Sequence, residues 1–386
     1  MDPLGASNAL GDNIILRRVA FSSREQQATY KFAFNSASST TLTFNTGGTI
    51  LTHLLKSDNP ALKNAIITCL VRGEQRISQL EKAYGSRVKA ELYQDLDDVE
   101  RTIEVTSQHD YVINTTLGFH PESAAALVKG LAKRKQSTGK DTFMIHTSGT
   151  SNLADQPITG KLLEDRVFDD AKDDIYGYEK EREKGQLYLQ RNSELGVVDA
   201  GIETGVKVLV IMSPTIYGRG SGIGNTSSIQ VPAYVKTTLA SGQGVVVGEG
   251  KGIWDNVHVE DLAGLYELVL LNQIQANGSD LPTGKKAIIF SGNGRHTWGE
   301  LAAGVAQAAY QAGQIKTAEV KSVTIEEAAN LWPAPWNEPL RVELGLSSNS
   351  RTESTVGRQL GWKPSRSAEA WKDGFTEEVK AALEQK

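Results

Sequence analysis

The stretch at residues 142–153, TFMIHTSGTSNL, sets an apolar run directly before a cluster of hydroxyls. Phe143, Met144 and Ile145 suit a buried strand, and His146-Thr147-Ser148-Gly149-Thr150 follow where that strand would end. In a doubly wound sheet, ligands collect at the carboxyl ends of the strands, so Ser148 is placed to meet one. Serine and threonine also end strands and cap helices without doing chemistry, so the rest of the chain must supply its partners. Other chemistries lack their residues. The histidines at 53, 109, 120, 146, 258 and 296 show neither H-E-x-x-H nor a spacing with cysteine, so no metal site is expected. Ser148 is not in a G-x-S-x-G elbow, which disfavours hydrolase chemistry. The run DDAKDD at 169–174 lacks the central glycine of a calcium loop and reads as a solvated face.

Elements able to position Ser148 recur along the chain. TGGTILTHLLKS (46–57) puts Ile50, Leu51, Leu54 and Leu55 on one helical face behind two glycines. The apolar run AIITCLV (65–71) predicts a strand, residues around Ile77, Leu80 and Tyr84 a helix, and VKAELY (88–93) a second strand. A short helix, the strand YVINTT (111–116) and a helix from Pro121 come next, with proline in the first turn. After TFMIH, QLYLQRNSELGVVDAG (186–201) predicts the helix before the strand VKVLVIM (206–212). Strands separated by helix-length segments predict an α/β fold with a doubly wound parallel sheet. Later, residues 245–271 predict a strand, a turn and a helix opening near Asp261, and KAIIFSG (286–292) another strand. Residues 1–45 form an atypical N-terminal segment: over 1–40 no periodic helix is evident, NIILRRVAF (13–21) could be a strand, and a loosely ordered arm is the plain alternative.

Composition narrows the function classes. The chain has 386 residues, 39% hydrophobic and 23% charged, with a net charge of −5 and both signs interspersed. No basic stripe suggests nucleic acid, and no apolar run reaches the length of a membrane span. The single cysteine, Cys69, excludes an intrachain disulfide and suits a reducing compartment. Together with the lack of a signal-peptide core, this leads to the expectation of a cytoplasmic protein.

From about residue 46 the chain resembles the extended short-chain dehydrogenase/reductase superfamily, the NAD(P)-dependent epimerase/dehydratase group. The likeness lies in TFMIHTSGTSNL, the strand-five segment with its serine, in SPTIYGRGSG after strand six, and in WDNVHVEDLAGLYELVL. GRQLGWKP near the end and YVINTT, the strand-four wall of the cofactor cleft, extend it. The resemblance implies a Rossmann domain over 46–220 that also receives 254–275, and a smaller substrate-binding region over 221–386. It implies a nicotinamide cofactor, a small-molecule substrate, and a serine, tyrosine and lysine as catalytic set. Ser148 matches the serine, and Tyr176 with Lys180 matches the Tyr-x-x-x-Lys pattern. In the register of the helix before strand six, Arg191 instead falls near the lysine position, with Tyr188 beside the tyrosine position. Gly47 and Gly48 match the last positions of the glycine turn, Asp95 the residue near adenine, and Asn114 and Thr115 the cleft wall. Arg72 stands where the group discriminates cofactors and favours NADP, while Glu74 keeps NAD open. Family members are often dimers, so a homodimer is among the expectations.

The beginning departs from the family. Where a strand should lead into a glycine-rich turn, the preface to the helix is TLTFNTGG, and no GxGxxG occurs anywhere. The abrupt onset at Gly47 points to a replaced start, through altered splicing or a mis-drawn gene model. The central strand slot must still be filled, with Thr41–Phe44 first by position and Asn13–Phe21 or Thr29–Phe34 as substitutes. Two alternatives to an oxidoreductase or epimerase follow: a non-catalytic dinucleotide-binding regulator similar to the NmrA-like proteins, or a form with impaired cofactor binding.

Overall fold

The computed structural model describes residues 12–19, 29–32, 35–36, 45–116, 118–333 and 335–384. Among the described residues nine strands form the main sheet, seven of which make up its body: β1 (Asp12–Val19), β2 (Ile66–Val71), β3 (Val88–Leu92), β4 (Tyr111–Thr115), β5 (Phe143–Gly149), β6 (Lys207–Ser213) and β7 (Ile288–Phe290). They lie in the order β3-β2-β1-β4-β5-β6-β7. All the pairings that do not involve β1 are parallel. β1 fills the central slot but runs antiparallel to both neighbours, with Asn13 opposite Leu70 on one side and Asn114 on the other. The substitute at Asn13–Phe21 therefore supplies the strand, while Thr41–Phe44 lies outside the described residues. Either direction satisfies the backbone donors and acceptors of β2 and β4, which is the constraint the core imposes. Two short pieces, Thr29–Phe32 and Asn35–Ser36, also pair along β2.

The helices follow the apolar periodicity: α1 (Asn45–Lys56), α2 (Glu74–Tyr84), α3 (Val99–Thr106), α4 (Pro121–Thr138), α5 (Ile175–Gly185), α6 (Leu189–Thr204), α7 (Gln230–Ser241), α8 (Val259–Ala276), α9 (Trp298–Gln311) and α10 (Ala368–Glu384). Alternation along the strands sorts them onto two faces. Ile67, Cys69, Ile113, Ile145, Leu209 and Ile211 pack with Ile50, Leu51 and Leu54 of α1 and with Leu262, Leu265 and Tyr266 of α8. Leu70, Val112, Met144 and Val208 point the other way, onto Val105 of α3, Leu127 and Leu131 of α4 and Val197 of α6. Each such aliphatic side chain contributes roughly 1.5–3 kcal/mol by leaving water. α8 thus joins the first core although it comes late in the chain.

A second core gathers α7, α9 and α10 around Tyr234, Trp254, Trp298, Trp332 and Trp371. Beside it, Gly244–Val247 pairs in parallel with Val320–Val323. Among the described residues, no helix is long and apolar enough to cross a membrane.

Candidate functional site

Strand register brings the sequence-selected residues to one edge of the sheet. Asn114 of β4 lies opposite His146 of β5, and Ser148, two residues further on, lies opposite Met212 of β6. Arg72 directly follows Val71, the last residue of β2. Ser148, Asn114 and Arg72 therefore line the carboxyl ends of strands on both sides of the central slot, where the chain order reverses and α/β folds bind ligands.

Around Ser148 the polar groups are densely connected. The side-chain nitrogen of Asn152 donates to the Ser148 hydroxyl at 3.1 Å and to Glu194 at 2.8 Å. Ser148 also hydrogen-bonds Glu194, which offsets part of the burial that pushes that carboxyl up. The Gln190 amide lies against Gly149, where a Cβ would sit 2.9 Å from its nitrogen, so a side chain there would push the amide aside. Ser151 donates to Gln190 at 2.6 Å and accepts from the Tyr188 phenol at 3.1 Å. Burial pushes the Tyr188 phenol up, against the hydrogen bond to Ser151 that lowers it. The residue one helical turn beyond Tyr188 is Asn192, so no lysine stands in the place that would lower a phenol's pKa.

Tyr176 and Lys180 are engaged elsewhere. The Tyr176 phenol donates to one Asp199 oxygen at 2.5 Å and the Lys180 ammonium to the other at 2.6 Å. Lys285, three residues before β7 begins, lies 5.4 Å from the Tyr176 ring, so this cluster sits by the amino end of β7. The structure does not bring the pair to Ser148. It fastens α5 to α6, and burial with the Asp199 carboxylate pushes the phenol up rather than down. Arg191 is also committed, to Glu183 at 2.8 Å and to the carbonyls of Asn152 and Gln186.

The residues assigned to a cofactor differ in what they show. Among the described residues, Arg72 keeps a buried Nε with no hydrogen-bond partner, an orphaned donor of the kind that suits a phosphate oxygen. Asn114 is fully buried, bonds His146 at 3.0 Å and accepts from the Thr116 backbone, while Thr115 ends β4 beside it. Asp95 is exposed and accepts from the Asp97 backbone at 2.9 Å. Gly47 and Gly48 lie in the first turn of α1, where the loop after β6 closes over them. Asn45 donates to the Gly218 and Thr226 carbonyls, and Thr49 accepts from the Ser221 backbone at 3.1 Å. Arg72 thus offers an unpaired donor and Ser148 a hydroxyl at the strand ends, while the 218–226 loop fills the start of α1. Among the described residues, no group of three His, Cys, Asp or Glu stands close enough to hold a metal.

Comparison with known proteins agrees with this architecture. A family model described as the NAD dependent epimerase/dehydratase family matches residues 190–280, from α6 through β6 to α8. Over that segment the chain is similar to the NAD-dependent epimerases and dehydratases. A curated relative, the oxidase ucsJ of an Acremonium species, is 29% identical over 311 residues, covering 77% of this chain and 85% of its own. The PbgP3 protein of Burkholderia pseudomallei superposes with a TM-score of 0.58 at 14% identity, covering 88% of this chain and 94% of its own. The UDP-glucuronic acid 4-epimerase of Bacillus cereus, solved with UDP-glucuronic acid and NAD, gives a TM-score of 0.56 at 10% identity, covering 88% and 96%. At these identities the structural matches show a shared fold.

The buried carboxyl pair beneath Ser148, Glu179 and Glu194, has no counterpart in the expectations from sequence. Its one sequence signal is Glu194 standing next to the apolar Leu195, Val197 and Val198 in the helix before β6.

Proposed function

We propose that this chain is an NADP-dependent oxidoreductase or epimerase of the extended short-chain type, acting on a small hydroxyl or carbonyl substrate. The observation that carries the reading is the alignment of Arg72, Asn114 and Ser148 along one sheet edge. Arg72, with its unpartnered donor, would take the 2′-phosphate, and Asn114 and Thr115 would wall the cleft. Gly47 and Gly48 would face the pyrophosphate once the 218–226 loop has lifted, with Asp95 toward the adenine. The bound nicotinamide would accept or return a hydride. Ser148 would hold the substrate oxygen by hydrogen bonding, with Tyr188, Ser151 and Gln190 forming the rim that orients it.

Titration with NADPH and NADH, followed by cofactor fluorescence, tests the reading, and turnover of small alcohols and ketones with Ser148→Ala as control completes it. No binding of either dinucleotide would end it. A second reading, a dinucleotide-binding regulator without turnover, is favoured by one observation: Asn192 stands where a lysine would assist Tyr188. Binding without turnover would select that reading.

A further inference from the structure

Glu179 of α5 and Glu194 of α6 meet beneath Ser148, each with no solvent exposure. Both oxygens of Glu179 and Oε1 of Glu194 lack a hydrogen-bond donor among the described residues. The group they do face is each other's carboxyl, which enters the titration of both. Two unprotonated carboxylates would set acceptor against acceptor in a site without water, whereas one proton converts the contact into a hydrogen bond.

The neighbouring cations do not supply that donor. Arg182 of α5 donates to the carbonyls of Asn152 and Ala154 at 3.1 and 2.8 Å. Arg191 of α6 donates to Glu183 and to the Asn152 and Gln186 carbonyls. Arg191 lowers both carboxyls through space and Arg182 lowers Glu179, yet burial and the repulsion of Glu194 outweigh them and Glu179 is raised well above the ordinary carboxylate range. Glu194 is raised as well, chiefly by burial.

We propose that Glu179 and Glu194 hold one proton between them and that this pair is the proton-exchange partner of Ser148. The inference rests on the reading of Ser148 as the group that meets the substrate oxygen. The connection is the Asn152 side chain, which donates to both the Ser148 hydroxyl and Glu194, fixing the two within one hydrogen-bonded unit. In the oxidative direction, the substrate O–H bond breaks and a new O–H forms on Ser148. The former Ser148 proton passes to Glu194, while the substrate carbon gives its hydride to an oxidised nicotinamide dinucleotide. The pair then goes from one proton to two and from one negative charge to none, and reduction runs the same steps backward. The pair thus does from below what a tyrosine with an adjacent lysine does beside the substrate, and Glu194 acts through Ser148 as a positioning and proton-holding residue.

Infrared spectroscopy of the full chain, titrated from acid to alkaline pH, reads this without substrate. The expected result is a protonated-carboxyl C=O band that survives at neutral pH, is lost in both Glu179→Gln and Glu194→Gln, and shifts in frequency in Ser148→Ala. Other buried acids whose pKa is raised, Asp170, Asp255 and Glu378, contribute bands that the Gln variants leave in place. Circular dichroism checks the fold of each variant, and Ser148→Ala keeps both carboxyls should a Gln variant fail to fold. Absence of the band at neutral pH, or a band unmoved by Ser148→Ala, would overturn the proposal. Dinucleotide titration of the same samples reports separately on the cofactor, so loss of one reading is distinguishable from loss of the other.

Discussion

Gly222 lies so close to Gly48 that a Cβ added at Gly222 would sit 2.5 Å from the Gly48 Cα. The Gly222 backbone leaves no room for a side chain at this crossing, and Gly220 meets Asn45 and Thr49 in the same manner. The loop after β6 therefore occupies the helix start that would otherwise present free amides to a phosphate.

Gly222→Ala should consequently strengthen dinucleotide binding. The added methyl displaces the loop from Gly48, and the expected gain in NADPH affinity is about tenfold, or roughly 1.4 kcal/mol. A small fall in melting temperature should accompany it. Weaker or unchanged binding in a fluorescence titration would show that this loop does not guard the helix start.

Arg72 gives a prediction about cofactor choice. Arg72→Ala should weaken NADPH binding by on the order of tenfold or more, the scale of a charge-assisted hydrogen bond of about 1.5–3 kcal/mol, and leave NADH within about twofold. Equal losses for both dinucleotides would remove Arg72 from 2′-phosphate recognition.

Tyr176→Phe and Lys180→Ala should leave dinucleotide binding and turnover within about twofold. Their bonds run to Asp199, and with Lys180 and Asp199 side chains 40% and 36% exposed, the ion pair should contribute only about 0–1 kcal/mol. A loss of turnover of a hundredfold or more in either variant, with melting unchanged, would return them to the catalytic set.

The buried histidines predict how stability responds to acid. Burial lowers His146 to about 4 and His296 to about 3. Depressed bases bind their proton more readily in the unfolded chain, so the stability they confer is complete above about pH 6.5 and drains away as pH falls toward those values. Each contributes a slope of up to about 1.4 kcal/mol per pH unit in that window. Glu378, raised to about 7 by burial, works in the opposite sense, its contribution declining as pH rises from the ordinary glutamate range through 7. His296→Gln should therefore flatten the fall of melting temperature between pH 6.5 and 4, and Glu378→Gln should flatten the decline toward neutral pH. An unchanged acid limb in His296→Gln would contradict the burial of a neutral ring.

The helices and parallel strands were legible because periodicity reports which face of an element leaves water. Ile67, Cys69 and Leu70 divide between the two faces of the sheet as their alternation requires. The filler of the central slot was only partly legible. A strand's apolar pattern carries no arrow, so Asn13–Phe21 could be nominated, but its reversed direction could not. Tyr176 and Lys180 illustrate a different limit. Any helix with these residues four apart sets them on one face, and nothing local says whether that face meets a cleft or Asp199. Glu179 and Glu194 sit on different helices separated by the break at Gly185, so their meeting depends on how α5 folds back onto α6.

The reversed polarity of β1 also decides what reaches the rim beside Ser148. In a central strand that climbs with its neighbours, the last residue emerges there and bends straight into the helix. Here Asp12 stands opposite Thr115, so the strand's entrance faces the rim and its exit lies at the far margin. A bulky fusion attached just ahead of Asp12 would therefore be anchored at the rim beside Asn114 and Thr115, at the strand ends that carry Ser148, rather than at the far margin of the sheet.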